Sequence, residues 1–312
     1  MYQRAKKPHT IFVGAVEQHF PQDPSCIPKE FENCQASLDF CPTDHIQVRR
    51  IPPNKARGPT FGRFYGMLMY RGETFLFMMD SHNRFVTHWD HIIVKMYQGL
   101  PTAKGVLSHY PEAWNNPQDG EATNAPLDSR KTTTYLCTSK YIPEGFPRFD
   151  GFVVHKTTKP RPQPYAAAGF LFADARVIFE VPFDPHLNYV FDGEEILYSV
   201  RMWTHGWDIF SPNENIMYHY YYRKKAKKFW SLLPHDWVTH RDRAIRRIQF
   251  LLNATKDKTT ERVVPADTQE EYVIVDLDKY GLGKSRTLAE YYEFAGLDHV
   301  NKKVENKFCP KA

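Results

Sequence analysis

Residues 75–90 read Phe-Leu-Phe-Met-Met-Asp-Ser-His-Asn-Arg-Phe-Val-Thr-His-Trp-Asp, and the fold class turns on them. Phe75 to Met79 is short and continuously apolar, the pattern of a strand buried on both faces in a parallel sheet covered by helices. Asp80 and His82 follow just past its C-terminal end, where open α/β sheets place their ligands. Two residues apart in extended chain, their side chains point the same way and can share one cation. A polar turn at a strand end has the same composition, so the pair alone leaves both readings open.

Working outward, Thr10 to Val16 reads as a buried strand. Glu17 to Pro53 is a Pro-, Cys- and polar-rich loop with one short strand around Ile46 to Ile51. Pro59, after Arg57-Gly58, suits the first turn of a helix carrying Arg63 to Tyr70. Strand, loop, helix and strand in that order give the alternation of an α/β sheet. Beyond the opening stretch, Trp89, Ile92, Ile93 and Met96 mark one face of an amphipathic helix that stops near Gly99 and Pro101.

Strands are expected at Lys104 to Ser108, at Leu136, at Phe152 to His155 and at Trp207 to Phe210. Pro111 to Arg130 is a long polar segment. Ala166 to Phe170 offers small side chains, for close approach of a ligand or for tight strand packing. Asp192-Gly193-Glu194-Glu195 opens a helix continued by Ile196, Val200 and Trp203, and acids in a first turn are favoured by the helix dipole. In the tail, Ala244 to Leu252 gives a helical face, Lys256 to Thr268 a polar linker, Tyr272 to Leu277 a strand and Arg286 to Ala295 a helix. The division that follows is a main domain over 1–254 and a C-terminal extension over 255–312 packing on it.

The 312 residues are 42% hydrophobic and 25% charged, ordinary for a soluble globular protein. The net charge of +5 is mild, and the basic runs Arg223 to Lys228 and Arg241 to Arg247 read as solvated faces, so nucleic acid is not an expected partner. No stretch approaches the roughly 18 apolar residues of a membrane span. The first ten residues lack the apolar core of a signal peptide, which points to the cytoplasm. Cys26, Cys34 and Cys41 lack zinc-knuckle spacing; free thiols and disulfides among the three both stay open.

Several pieces, taken together and in order, resemble the family of retaining transferases that attach N-acetylglucosamine to hydroxyproline of a cytoplasmic Skp1-type adaptor protein. They are Ile11 to Gly14, Ala56 to Pro59 with Arg63, Met79 to Phe85 with Trp89-Asp90, and Tyr110-Pro111. Ala167 to Phe172, Phe191 to Glu195, Trp203 to Asp208, Tyr218-His219 and Tyr280 to Gly283 complete the set. The resemblance implies a GT-A-type, Rossmann-like nucleotide-sugar transferase sheet, UDP-N-acetylglucosamine (UDP-GlcNAc) as donor and a divalent metal, Mn2+. One departure stands out. The family pattern begins with a strand and a Ser-Tyr-Arg-Asp type loop, and Met1 to His9 is too short to hold them. The usual first strand, which cradles the uracil, is therefore expected to be missing, and an incomplete N-terminus would weaken the cytoplasmic reading.

Under that resemblance Asp80, His82 and His219 are the expected metal ligands; mixed carboxylate and imidazole ligation suits manganese better than magnesium. Arg57, Arg63 and Arg223 are expected to meet the remaining phosphate charge, with Ser81, Ala168 and Gly169 also lining the donor. Glu194, Glu195 and Asp192 are the expected catalytic carboxylates, holding sugar hydroxyls or steadying the oxocarbenium-like state. His205 and Trp207 are the expected acceptor-side wall. The acceptor is a hydroxyl on a protein, hydroxyproline by resemblance, or on a glycan. The competing reading is a non-catalytic carbohydrate- or protein-binding relative on a degraded transferase fold.

Overall fold

A computed structural model of the chain describes residues 1–32, 40–114, 131–221, 233–254 and 271–310. β1 (Val13–Gln18) is followed by α1 (Lys29–Glu32), β2 (Ile46–Ile51), α2 (Pro59–Met67), β3 (Phe75–Met79), β4 (Asn83–Phe85), α3 (Trp89–Gln98) and β5 (Gly105–Ser108). Next come the hairpin strands β6 (Thr132–Tyr141) and β7 (Pro147–His155), then β8 (Arg161–Pro162), β9 (Phe170–Asp174) and α4 (Val177–Glu180). α5 (Glu194–Thr204), β10 (Asp208–Ser211), β11 (Met217–His219) and α6 (Trp237–Leu251) lead to the tail. There lie α7 (Glu271–Ile274), α8 (Leu277–Tyr280), α9 (Leu288–Ala295), β12 (Leu297–Asp298) and β13 (Lys303–Val304).

The architecture is mixed α/β, as expected, around a five-stranded sheet in the order β3-β9-β5-β10-β8. The sheet is mixed rather than parallel throughout as the apolar run suggests, although β10 runs parallel to β5. β9 runs antiparallel to both β3 and β5, and β3 is the half-buried edge strand. The run is apolar because both faces still meet a core. Leu76 and Met78 pack with Phe64 of α2 against one cluster. Phe75, Phe77 and Met79 pack toward Trp89, Ile93 and Met96 of α3 in another. Alternate side chains of a strand point to opposite faces, so one edge strand serves two cores.

β1 and β2 form a separate parallel pair, in register from Val13 opposite Ile46 to Gln18 opposite Ile51. The segment after α2 packs against β1: a Cβ on Gly14 would lie 3.0 Å from Met69. α2 itself faces β3, since a Cβ on Gly66 would lie 3.7 Å from Met78.

The tail is stitched to α5. Arg201, 1% exposed, gives its guanidinium to the carbonyls of Pro182, Lys279 and Gly281. Arg247 on α6 pairs with Asp184 at 2.7 Å, both side chains 1% exposed, and donates to the carbonyl of Val273. That grip explains why 271–274 is helical where Tyr272 to Leu277 suggested a strand: tertiary partners override a β-branched run. Cys137 of β6 is disulfide-bonded to Cys309, a pairing that the sequence reading did not consider. The expected linker, Lys256 to Thr268, lies outside the described residues, as does most of Pro111 to Arg130.

Candidate active site

Met79 pairs with Phe170 and Ser108 with Leu171, so Asp80 after β3, Gly169 before β9 and Tyr110 after β5 leave the sheet at one edge. The first turn of α5 meets them there. Arg63, on α2, donates from Nη1 to Glu194 Oε1 at 2.6 Å and from Nη2 to Asp80 Oδ1 at 3.1 Å. The Tyr110 phenol donates to Glu195 Oε2 at 2.5 Å. Asp80 also sits directly over Gly169: its amide donates to the Gly169 carbonyl, and a Cβ there would lie 3.1 Å from Oδ2. The small residue makes room for the carboxylate.

Three carboxylates thus surround one guanidinium. Burial works against the charge on Arg63, but Glu194, Asp80 and Glu195 outweigh it and hold the group firmly protonated. Burial pushes Glu194 upward, opposed by Arg63. Burial and then the Glu194 charge push Glu195 up to about 8, with the Tyr110 hydrogen bond pulling the other way. Among the described residues, one Glu194 oxygen, Oε2, is buried without a hydrogen-bond partner. Such an excess of acid in a buried site is what a ligand carrying positive character or hydroxyl donors would relieve.

Of the expected metal ligands, Asp80 and His82 lie in the link between β3 and β4, and His219 ends β11, which pairs with β4. His219 ends β11 opposite Asn83 of β4, and the Tyr220 amide donates to the His82 carbonyl at 3.1 Å. His219 is 6% exposed, and its Nδ1 meets Asn83 Oδ1 at 2.8 Å. Asn83 Nδ2 in turn donates to the Asp80 carbonyl, which fixes the amide's orientation. An amide oxygen can only accept, so Nδ1 is the donor, and in the neutral ring this leaves Nε2 as the nitrogen that can ligate. His82 Nδ1 contacts Ser81 Oγ at 2.7 Å, and His82 takes a positive φ of 67°. Among the described residues no three His, Cys, Asp or Glu side chains stand close enough to grip an ion. The donor set and the pinned tautomer fit a divalent metal; among the described residues the side chains do not close into a cage.

Other expectations fall elsewhere. Asp192 is half-exposed and faces Arg148 of β7 at 3.7 Å, apart from the Arg63 cluster. Ala168 is buried in the core, so it cannot line a donor. Arg57 is exposed just before α2, its carbonyl accepting from the Tyr189 amide. Arg223 lies outside the described residues. His205 and Trp207 are corrected outright as an acceptor wall. At about 1.5 Å per residue, the 11 residues of α5 put them roughly 15 Å from Glu195, at the other end of the helix. Trp207 is 0% exposed and donates to Glu180, itself paired with Lys104 at 2.6 Å, while His205 Nδ1 meets the Arg201 carbonyl. Both residues hold the fold.

Two site residues had no role in the sequence reading: Asn83 and Tyr110. Both lie inside the quoted family pieces, which was the only available signal for either.

Residues 33–301 match the model of the family described as Glycosyltransferase (GlcNAc). The chain belongs to that family. The match runs through the boundary expected at residue 254. No curated protein matches the chain. Among solved structures it is similar to GalNAc-T7 with UDP, GalNAc and Mn2+, at 10% identity and a TM-score of 0.49. That likeness covers 91% of this chain and 57% of GalNAc-T7's.

Proposed function

We propose that the chain is a metal-dependent retaining glycosyltransferase that moves N-acetylglucosamine from UDP-GlcNAc to a hydroxyl on a protein. Hydroxyproline is the acceptor class that the sequence resemblance implies; a Skp1-type adaptor, being cytoplasmic, belongs with the cytoplasmic alternative tested below. The observation that carries this reading is the Arg63 bridge. It joins the helix after Arg57-Gly58-Pro59, the Asp80 motif and the acids of α5, three pieces far apart in sequence, at one edge of the sheet.

Asp80, His82 and His219 would hold Mn2+, which when bound neutralises the leaving diphosphate as a Lewis acid. Glu194 and Glu195 face the sugar, accepting its hydroxyls and steadying the positive charge that develops on its ring. In a retaining displacement the acceptor enters on the face the diphosphate leaves, so a phosphate oxygen can take the acceptor's proton. No enzymic base is then required. Arg63 is spent on Asp80 and Glu194, so its part is to set the distance between the metal ligands and the sugar-facing acids. We read 1–254 as the transferase domain, with the tail packed on it.

Titration calorimetry with UDP tests this reading. Wild type binds UDP in a manganese-dependent way, and Asp80→Ala and His219→Ala each weaken that binding by at least tenfold, in line with a lost ligand. Manganese-independent binding in wild type sinks the proposal. Binding without UDP release from UDP-GlcNAc supports the non-catalytic, carbohydrate- or protein-binding alternative instead.

We also propose an oxidising compartment in place of the cytoplasm expected from the N-terminus. Its support is the Cys137–Cys309 bond, a kind of link that glutathione and thioredoxin keep open in the cytosol. Thiol labelling of the denatured native protein decides it: Cys137 and Cys309 both stay unlabelled until reduction, and labelling of both beforehand returns the cytoplasmic reading.

A further inference from the structure

The proposed chemistry leaves Tyr110 without a part, yet the fold over-determines its position. The residue leaves β5 at the site edge, and its carbonyl is held by Thr134 Oγ1 at 2.6 Å. Its ring stacks on Phe149 at 6.0 Å, and Phe149 stacks on Tyr165 at 4.6 Å and 5°. Tyr165 is 1% exposed and its hydroxyl meets Ser139 Oγ at 2.7 Å. A three-ring column thus braces a phenol that ends 2.5 Å from Glu195 Oε2. Aromatic stacks of this kind are rigid and contribute beyond their buried area.

The two neighbouring glutamates are thereby treated differently: the Arg63 guanidinium hydrogen-bonds Glu194, and the Tyr110 phenol hydrogen-bonds Glu195. We propose that Tyr110 is a positioning residue for Glu195, its braced hydrogen bond fixing the carboxylate that steadies the sugar's developing charge. This rests on the proposed glycosyl transfer. The groups facing Glu195 are Glu194 on its own helix, Arg63 from α2, Asp80 after β3, Tyr110 after β5 and Tyr221 after β11. Of these, Tyr110 and Arg63 favour the ionised carboxylate, and burial, Glu194 and Asp80 oppose it. Removing the phenol therefore makes ionisation harder.

The test is Tyr110→Phe, read two ways. In UDP release from UDP-GlcNAc, the rising limb of kcat with pH moves up by roughly one unit, so kcat on that limb falls about tenfold. In carboxyl 13C NMR of the protein without nucleotide, assigned with Glu195→Gln, the Glu195 midpoint moves by the same amount. In a Glu195→Gln background, Tyr110→Phe causes no further loss of kcat. A uniform loss at every pH, an unmoved midpoint, or additive losses in the double variant each overturn the proposal. If wild type releases no UDP, the transferase reading fails by itself and the 13C midpoints still decide Tyr110. Should Tyr110→Phe not fold, Phe149→Leu loosens the column while keeping the phenol; it moves the midpoint the same way by less, and an unmoved midpoint there overturns the proposal.

Discussion

Glu17 and Glu195 are both set into the protein beside a strand or helix end, and their surroundings are opposites. Glu17, 5% exposed near the end of β1, accepts from His19, from Ser25, from the amide and thiol of Cys26, and from Arg50. Burial alone would raise its pKa, but those donors, Cys26 foremost, bring it down to about 2. Glu195 accepts a hydrogen bond from one phenol and has Arg63 and two carboxylates near it, and burial with the Glu194 charge takes it up to about 8. Where donors outnumber acceptors, a buried acid ties a loop together. Where acceptors outnumber donors, the arrangement is complete only with something else present.

The largest way to break this contrast is Glu17→Ala. It strands the donors of residues 19–26 and is expected to cost about 2–4 kcal/mol in urea unfolding. A loss within about 0.5 kcal/mol would place Glu17 with ordinary surface acids. Glu195→Gln sharpens the contrast from the other side, with little stability cost and a large loss of UDP release. Its signature lies in pH. A carboxyl raised in the folded state holds a proton that the unfolded chain releases near 4.5, so its contribution to stability is complete below that value. The contribution declines as pH rises through about 8. Wild type should therefore lose stability relative to Glu195→Gln between about pH 5 and 8, by roughly 1 kcal/mol or more. Parallel curves for the two proteins would mean that Glu195 ionises normally. Glu17 contributes with the reverse sign: its part is present above 4.5 and fades as pH falls toward about 2. A flattening of the acid limb in Glu17→Gln checks that sign.

Local patterns in the sequence carried much of this architecture. The apolar face of α3, the Pro59 start of α2 and the acidic start of α5 reflect helix physics that acts within a few residues. Sheet direction did not show, because Phe75 to Met79 looks the same whether its neighbour is parallel or antiparallel. The site split along the same line. Asp80 and the α5 acids announced themselves by residue type and motif. Their connection through Arg63 could not, since partners 131 positions apart leave no local trace. His205 and Trp207, expected at the acceptor side from the resemblance, stand apart from the acids because the three turns of α5 separate the two. The Cys137–Cys309 bond left no local trace either, its partners being 172 residues apart.

Arg201 gives α5 a second anchor. The helix presents Glu194 and Glu195 at its start, and near its end Arg201 is gripped by the carbonyls of Lys279 and Gly281. Gly283 closes the same joint: its amide bonds to Thr204 Oγ1, and a Cβ there would run into the Thr204 backbone. The acids are thus mounted on a rod whose far bearing belongs to the last tenth of the chain. Sequence drift in that tail is then constrained by the chemistry at the opposite end of α5, and a change such as Gly283→Val would register as a miscalibrated site rather than as a damaged tail.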